Sequence, residues 1–245
     1  MKLNKSLGQN FFNNPNLADW IVEQVATENP GSIIEIGPGD GYFTKRLLNV
    51  TSNITAIEKD SELAKFLKQK VPSIQVINED ILKINFNPDN YTQPLVLYGS
   101  LPYNISKPII TQFVQYSEIK AMFFIVQKEV AEKYISKDGK SSILSILTSF
   151  FADVEILKYI KPGNFIPKPK VDSALIKITP REIDKTIDIN RLTTIVKKAF
   201  GNPRKTLRNN LRGYNLSGIP EDILNKRPEN LRASDFKAIS NQIVL

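Results

Sequence analysis

The segment Glu35-Ile36-Gly37-Pro38-Gly39-Asp40-Gly41 ends an apolar run with three alternate glycines. Glycine takes a positive φ freely and lets the backbone come close to a ligand. At a strand-to-helix turn this pattern cradles a nucleotide-like molecule. Glu58 ends the next apolar run, 19 positions after Gly39. A carboxylate there can grip the paired hydroxyls of a ribose. A dinucleotide fingerprint G-x-G-x-x-G would need glycine at position 42, where the chain has Tyr42. The observed G-x-G-x-G fits an adenosine cofactor that lacks a pyrophosphate, namely S-adenosylmethionine. Asp80 ends the third run. It can accept a hydrogen bond from the adenine amine of such a cofactor, or simply cap the turn that follows. In open α/β sheets, ligands bind beyond the carboxyl ends of the strands, where all three residues fall.

Ser100-Leu101-Pro102-Tyr103-Asn104-Ile105-Ser106 follows a fourth run, Leu95–Tyr98. A small polar residue, a proline and an aromatic at the mouth of that cleft suit methylation of an aromatic amine. The lone pair of adenine N6 is delocalised into the ring and attacks poorly. Acceptors around the amine, Ser100 among them, can draw it towards tetrahedral geometry. Pro102 fixes φ and so the aim of neighbouring carbonyls. Tyr103 can stack on an extruded base, a contact worth about 1–3 kcal/mol. No general base is needed before transfer, because the amine can lose its proton afterwards. Catalysis then rests on alignment and electrostatics.

That economy suits a chain of 245 residues with no histidine and no cysteine. Imidazole acid–base chemistry, a Ser-His-Asp triad, a thiolate nucleophile, disulfides and Cys/His zinc sites are all excluded. A hydrophobic content of 41% supports a proper core. The longest apolar run, Ala121–Val126, is far too short to span a bilayer. The lysines at Lys2 and Lys5 are not followed by an apolar stretch, so no secretory signal is expected. A soluble cytoplasmic protein without metal or membrane partner is the expectation.

Short apolar runs alternate with amphipathic segments through the body of the chain. Asn14-Pro15 starts a helix whose apolar side is Leu17, Trp20, Ile21 and Val25. Strands are expected at 32–36, 53–57, 74–78, 95–98, 121–126, 154–160 and 171–178. Helices are expected at 42–50, 60–70, 108–116, 128–135 and 141–151. This alternation predicts an α/β fold with a mostly parallel, doubly wound sheet. The last two strands have no helix between them and predict an antiparallel hairpin at one edge. Beyond Pro180 only helical patterns remain, at 187–200, 203–211, 220–224 and 234–243. Two domains follow: residues 1–180 as a catalytic α/β domain and 181–245 as a small all-α domain.

The net charge of +8 is uneven. Residues 181–245 hold 13 Lys/Arg and 7 Asp/Glu, an excess of +6. A basic appendage on a nearly neutral body points to a polyanion. Arg204, Lys205, Arg208 and Arg212 recur at helical spacings and are expected on one helix face, as phosphate contacts.

Six segments in order resemble the small-subunit ribosomal RNA adenine dimethyltransferase family. They are Gly8–Phe12, Glu35–Gly39, Ile57–Asp60, Leu101–Ser106, Phe165–Ser173 and Arg204–Asn209. The resemblance spans nearly the whole chain and implies a Rossmann-like class I methyltransferase sheet with a small helical C-terminal domain. It implies S-adenosylmethionine as donor, with Asn10 and the backbone at Phe12 on its methionine portion. Gly37 and Gly39 lie along the donor, Glu58 on its ribose and Asp80 at its adenine, with Ile81 and Ser100 also among the donor-binding residues. The same resemblance implies that Ser100, Leu101, Pro102 and Tyr103 hold the target base, with Phe165 packing from the far side. The implied substrate is small-subunit (16S) rRNA in a pre-ribosomal subunit, at two adjacent adenosines near its 3′ end. Each would become N6,N6-dimethyladenosine, the enzyme acting as a monomer. The family usually has Asn where this chain has Ser100, and a serine hydroxyl is shorter and free to rotate. A slower but active enzyme is the expectation.

Three other readings compete. A large-subunit rRNA methylase of the macrolide-resistance type shares the catalytic segments, but Gln127-Lys128-Glu129-Val130 and Arg204–Asn209 look more like the small-subunit family. Ser100 keeps open a weakly catalytic RNA-binding assembly factor. A nicotinamide dehydrogenase is disfavoured by Tyr42 and by the Leu-Pro-Tyr segment.

Overall fold

The computed structural model describes residues 11–136 and 139–243. In chain order its elements are β1 (Phe11–Phe12), α1 (Pro15–Ala26), β2 (Ser32–Ile36), α2 (Thr44–Leu47), β3 (Ile54–Glu58), α3 (Ser61–Lys70), β4 (Gln75–Asn78), β5 (Leu95–Ser100) and α4 (Ser106–Phe113). There follow β6 (Ile119–Gln127), α5 (Lys128–Glu132), α6 (Ile143–Thr148), β7 (Ala152–Ile160), β8 (Phe165–Ile166), β9 (Ser173–Pro180), α7 (Ile189–Ala199), α8 (Leu207–Asn210), α9 (Glu221–Leu224) and α10 (Ala233–Gln242).

The main sheet runs in the order β4-β3-β2-β5-β6-β9-β7. The first five of these strands are parallel, and β9 returns antiparallel to β6. The expected mostly parallel α/β sheet is therefore present, with its last two strands side by side at one end. Every residue of β2 and β3 is buried. Strands covered on both faces read as continuous apolar runs, which is why they were legible. From β2 the chain winds outward through β3 and β4, then crosses back to β5 on the other side. That reversal opens a crevice beyond the carboxyl ends of β2 and β5. The glycine loop leaves β2 there, and Ser100 ends β5.

The helices obey local rules. Asn14 caps α1 by accepting from the amide of Leu17 at 3.1 Å, with Pro15 in the first turn. Asp60 caps α3 through the amides of Glu62 and Leu63. The helix expected at 42–50 shortens to α2, because positive φ at Gly39 and Gly41 keeps the preceding backbone in a turn. The two-residue strands β1 and β8 pair antiparallel, Phe12 opposite Phe165.

The chain forms two compact units. The first takes the chain up to residue 131 together with 155–180, and the second takes 132–154 together with 181–245. In the second unit Ile146 of α6 is buried with Leu192, Ile195, Val196, Leu207 and Phe236, so the apolar side of α6 belongs to this helical core. Segment 132–154 carries three lysines and three acidic residues, so the second unit keeps the excess of +6.

Candidate active site

The crevice at the strand reversal holds a cavity of about 170 Å³. One wall is the glycine loop with Glu58, Asp80 and Ile81. Another is the run from Ser100 to Ile105. Phe11, Phe12 and Phe165 complete it.

The glycines are required by the backbone. Gly37 has φ +67° and Gly39 +58°, in the left-handed region that side chains disfavour. A Cβ on Gly37 would meet no atom within 4 Å and would project into open space, whereas one on Gly39 would lie 3.0 Å from the Phe11 ring. The loop is tied down at each turn. The Gly37 amide donates to Ile57 O at 2.9 Å, and the Gly39 amide to Glu58 Oε2 at 3.1 Å. The other oxygen of Glu58 accepts from the Asp60 amide at 2.9 Å. Glu58 thus links the loop to the start of α3 while lying buried at the cavity wall. Burial raises its pKa, and the backbone donors pull it back down. Each carboxylate oxygen has a second lone pair, so Glu58 can still accept from a ligand hydroxyl.

Asp80 caps the turn that follows it, as one of the two sequence readings expects. One oxygen accepts from the Leu82 amide at 3.1 Å and caps the turn Ile81–Lys83. The other takes Lys59 Nζ at 2.9 Å, and this contact holds the carboxyl below its usual range. The residue still lines the cavity.

Below them is a buried polar floor. Glu35 is 2% exposed and accepts from Thr44 Oγ1 at 2.6 Å. Burial pushes its pKa up to about 8, so it is mainly a neutral acid at pH 7. Tyr98 lies opposite Glu35 on the neighbouring strand. The hydroxyls of Tyr98 and Tyr42 are buried without a hydrogen-bond partner among the described residues. Orphaned polar atoms of this kind at a cavity wall call for a polar ligand or water.

The Ser100–Ser106 run turns tightly into α4. Leu101 N donates to Ile125 O at 3.0 Å and Ile105 N to Pro102 O at 3.1 Å. Tyr103 is half-buried, and its hydroxyl is 2.8 Å from Ser173 Oγ at the start of β9. The Ser100 hydroxyl makes no hydrogen bond within the described residues and lines the cavity. Phe165 is buried and meets Phe12 edge-on, with ring centroids 5.2 Å apart, so it serves the core and the cavity together.

The cavity therefore gathers Phe12, Gly37, Gly39, Glu58, Asp80, Ile81, Ser100, Leu101, Pro102, Tyr103 and Phe165. Asn10 lies outside the described residues. Sequence reasoning missed Tyr98 and Ser173. Tyr98 is two residues before Ser100 on one strand and so shares its face, a signal that period-two reading could have used.

The basic cluster departs from expectation. Arg204 and Lys205 lie in the turn before α8, Arg208 lies within it, and Arg212 lies beyond it. They do not share one helix face. Asn210 sets this geometry: its side chain accepts from Asn202 N at 3.0 Å and donates to the carbonyls of Asn202, Lys205 and Thr206. The loop so formed keeps the helix from starting before Leu207. Arg208 is also paired with Glu221 at 2.5 Å, whereas Arg204, Lys205 and Arg212 are exposed and form no ion pair among the described residues. No group of three or more acidic residues suited to a metal ion occurs among the described residues. Nor is any helix there long and apolar enough to cross a membrane.

A family model described as ribosomal RNA adenine dimethylase matches residues 1–238. Ribosomal RNA small subunit methyltransferase A of Chlorobaculum tepidum is 36% identical over 245 residues, covering 98% of this chain and 89% of that protein. The protein of the same name from Flavobacterium johnsoniae is 36% identical, covering 99% of this chain and 96% of its own. Among solved structures, a dimethyladenosine transferase from Plasmodium falciparum superposes with a TM-score of 0.79 at 23% identity, covering 92% of this chain and 94% of that one. The 23S rRNA methyltransferase ErmE gives 0.74 at 25% identity, covering 95% of this chain and 100% of its own.

Proposed function

This chain belongs to the ribosomal RNA adenine dimethylase family, and from that premise we propose that it methylates N6 of two adjacent adenosines near the 3′ end of small-subunit rRNA, with S-adenosylmethionine as donor. The observation that carries the reading is the convergence of the glycine loop, Glu58, the Leu101-Pro102-Tyr103 turn and Phe165 on one cavity at the strand reversal.

The residues present fit that donor. The space beside Gly37 would be filled by any Cβ, Glu58 keeps free lone pairs, and two tyrosine hydroxyls await partners. Bound there, the donor supplies an electrophilic methyl carbon. Glu58 holds the ribose and Asp80 with Ile81 the adenine, while Phe12, Gly37 and Gly39 follow the methionine side. Ser100 and the backbone at Leu101 accept from the N6 amine and aim its lone pair. Pro102 fixes that backbone, and Tyr103 stacks on the extruded purine opposite Phe165. The proton leaves N6 after transfer, so no residue needs to act as a base beforehand.

The excess charge of the second unit supports an RNA partner, with Arg204, Lys205 and Arg212 on phosphates and Arg208 released from Glu221 when RNA arrives. The sequence boundary at 180 shifts, because 132–154 joins the helical unit; we assign the first unit to catalysis and the second, basic unit to RNA binding, in a cytoplasmic monomer acting on a pre-ribosomal small subunit. Affinity should fall with salt at a log–log slope of roughly −0.7 per single-strand phosphate neutralised. Mass spectrometry of small-subunit rRNA after incubation with the protein and labelled donor tests the reading. Two dimethylated adenosines are expected, and label confined to the large subunit would favour the ErmE-like alternative. Donor binding without transfer would favour an assembly factor. Ser100→Ala should slow transfer, and an unchanged rate would remove Ser100 from the mechanism.

A further inference from the structure

Strand alternation gives β8 two opposite faces. Phe165 faces inward, 2% exposed, as part of the cavity wall, while Ile166 faces outward at 58%. That makes Ile166 the most exposed of the large hydrophobic side chains among the described residues. A single exposed aliphatic residue is ordinary. Two further observations set this one apart.

First, it is displayed on fixed backbone. Ile166 pairs with Phe11 of β1, and the preceding turn is pinned by Asn14 Nδ2 to Asn164 Oδ1 at 2.7 Å and Asn13 N to Asn164 O at 2.9 Å. The loop's far end is held by Lys128 N on Asp172 O at 2.9 Å. Second, its surroundings suit a nucleic acid strand. Val171 in the same loop is 41% exposed. Lys168 and Lys170 are exposed and form no ion pair among the described residues. An apolar tip followed in the same loop by two exposed cations suits a base stack with its phosphates alongside.

Extruding a purine leaves a gap in the stack, and proteins that distort nucleic acids fill such gaps with apolar wedges. We infer that Ile166 is that wedge: it presses on the nucleotide next to the adenosine held in the cavity, so that one side of β8 grips the extruded base and the other supports its neighbour. The occupant is single-stranded RNA, and the inference rests on the function proposed above. With two adjacent targets, the waiting adenosine rests on Ile166 while the other reacts.

The test uses the full chain, the donor, and two RNA fragments: one carrying 2-aminopurine at the target position, which has no N6 amine and reports extrusion alone, and an unmodified one on which turnover is measured. Ile166→Ala should lower the fluorescence rise on binding and reduce kcat/KM about tenfold, with donor affinity and melting temperature unchanged. Ile166→Leu should restore both signals. Phe66→Ala, on α3 and 39% exposed, should change neither. An Ile166→Ala variant that extrudes the base and turns over like its parent would overturn the wedge. If the parent itself transferred no methyl, the functional reading would fail separately, and the fluorescence ratio of variant to parent would still decide the wedge.

Discussion

Replacing Ser173 by alanine tests how Tyr103, the proposed stacking surface, is held. Ser173 Oγ lies 2.8 Å from the Tyr103 hydroxyl, and Ser173 is fully buried. A hydrogen bond of this kind contributes a net of about 0.5–1.5 kcal/mol, and an orphaned buried partner costs about 1–3 kcal/mol. Tyr103 is half-buried, so water can reach the freed hydroxyl, and a stability loss of about 1 kcal/mol follows. The larger effect falls on the reaction. In the proposed function the ring of Tyr103 is the platform for the base, and alignment errors of about 1 Å can cost up to a hundredfold in rate. Single-turnover transfer of labelled methyl to unmethylated small subunits should slow about tenfold, with donor affinity unchanged. Ser173→Thr should recover most of the rate. Tyr103→Phe keeps the ring and removes the hydroxyl, so adding Ser173→Ala to it should do little more. Additive losses in that cycle, or a fully active Ser173→Ala, would refute the role.

Further perturbations probe the other parts. Glu35 has a folded pKa of about 8 against 4.5 in the unfolded chain, so its contribution to stability is full below pH 4.5 and is lost as pH rises towards 8. The slope is at most about 1.4 kcal/mol per pH unit, and Glu35→Gln should flatten it in denaturant titrations between pH 5 and 8; an unchanged slope would place the titration elsewhere. Gly37→Ala forces a side chain to φ +67°, for about 1–2 kcal/mol of stability, and its methyl enters the cavity. Donor affinity measured by calorimetry should fall by more than tenfold, beyond what the backbone strain explains. Asn210→Ala removes several hydrogen bonds at once and should destabilise the second unit by about 2–3 kcal/mol. Amide exchange at residues 202–206 should accelerate while donor binding is unaffected.

What could be read from the sequence was whatever is local. Asn14-Pro15 announces α1 because cap and first-turn proline are adjacent. The strands β2, β3, β5 and β6 announce themselves because both faces are buried. The glycine loop was visible because positive φ restricts the residue type, and Glu58 because the βαβ unit sets the spacing of successive strand ends. β1 and β8 escaped for the opposite reason. Two residues show no periodicity, and their pairing joins Phe12 to Phe165 across most of the chain. The basic segment at 203–211 has helical spacing, yet Asn210 binds carbonyls at its start and holds the first half as a loop. A side chain that competes for backbone partners overrides periodicity.

The same distinction divides the site. Each motif was legible singly, because each meets a local demand: a close backbone approach, a strand-end carboxylate, a proline-fixed turn. The couplings between motifs were not. Glu58 appears in sequence as a ribose ligand, but in the fold it also fastens the Gly39 amide and the start of α3. Tyr103 appears as a stacking surface, but in the fold its hydroxyl is tied to Ser173 of a distant segment. Ser100 differs in kind, since nothing within the described residues orients its hydroxyl. If Ser100 is the acceptor proposed above, this chain, where the family usually places a carboxamide, leaves the orientation of that acceptor to substrate and water. The rate of transfer then depends more heavily on the parts that remain rigid, the Pro102 turn and the Tyr103–Ser173 pair. Weakening that pair should therefore slow this enzyme more than it would slow the same scaffold carrying Ser100→Asn.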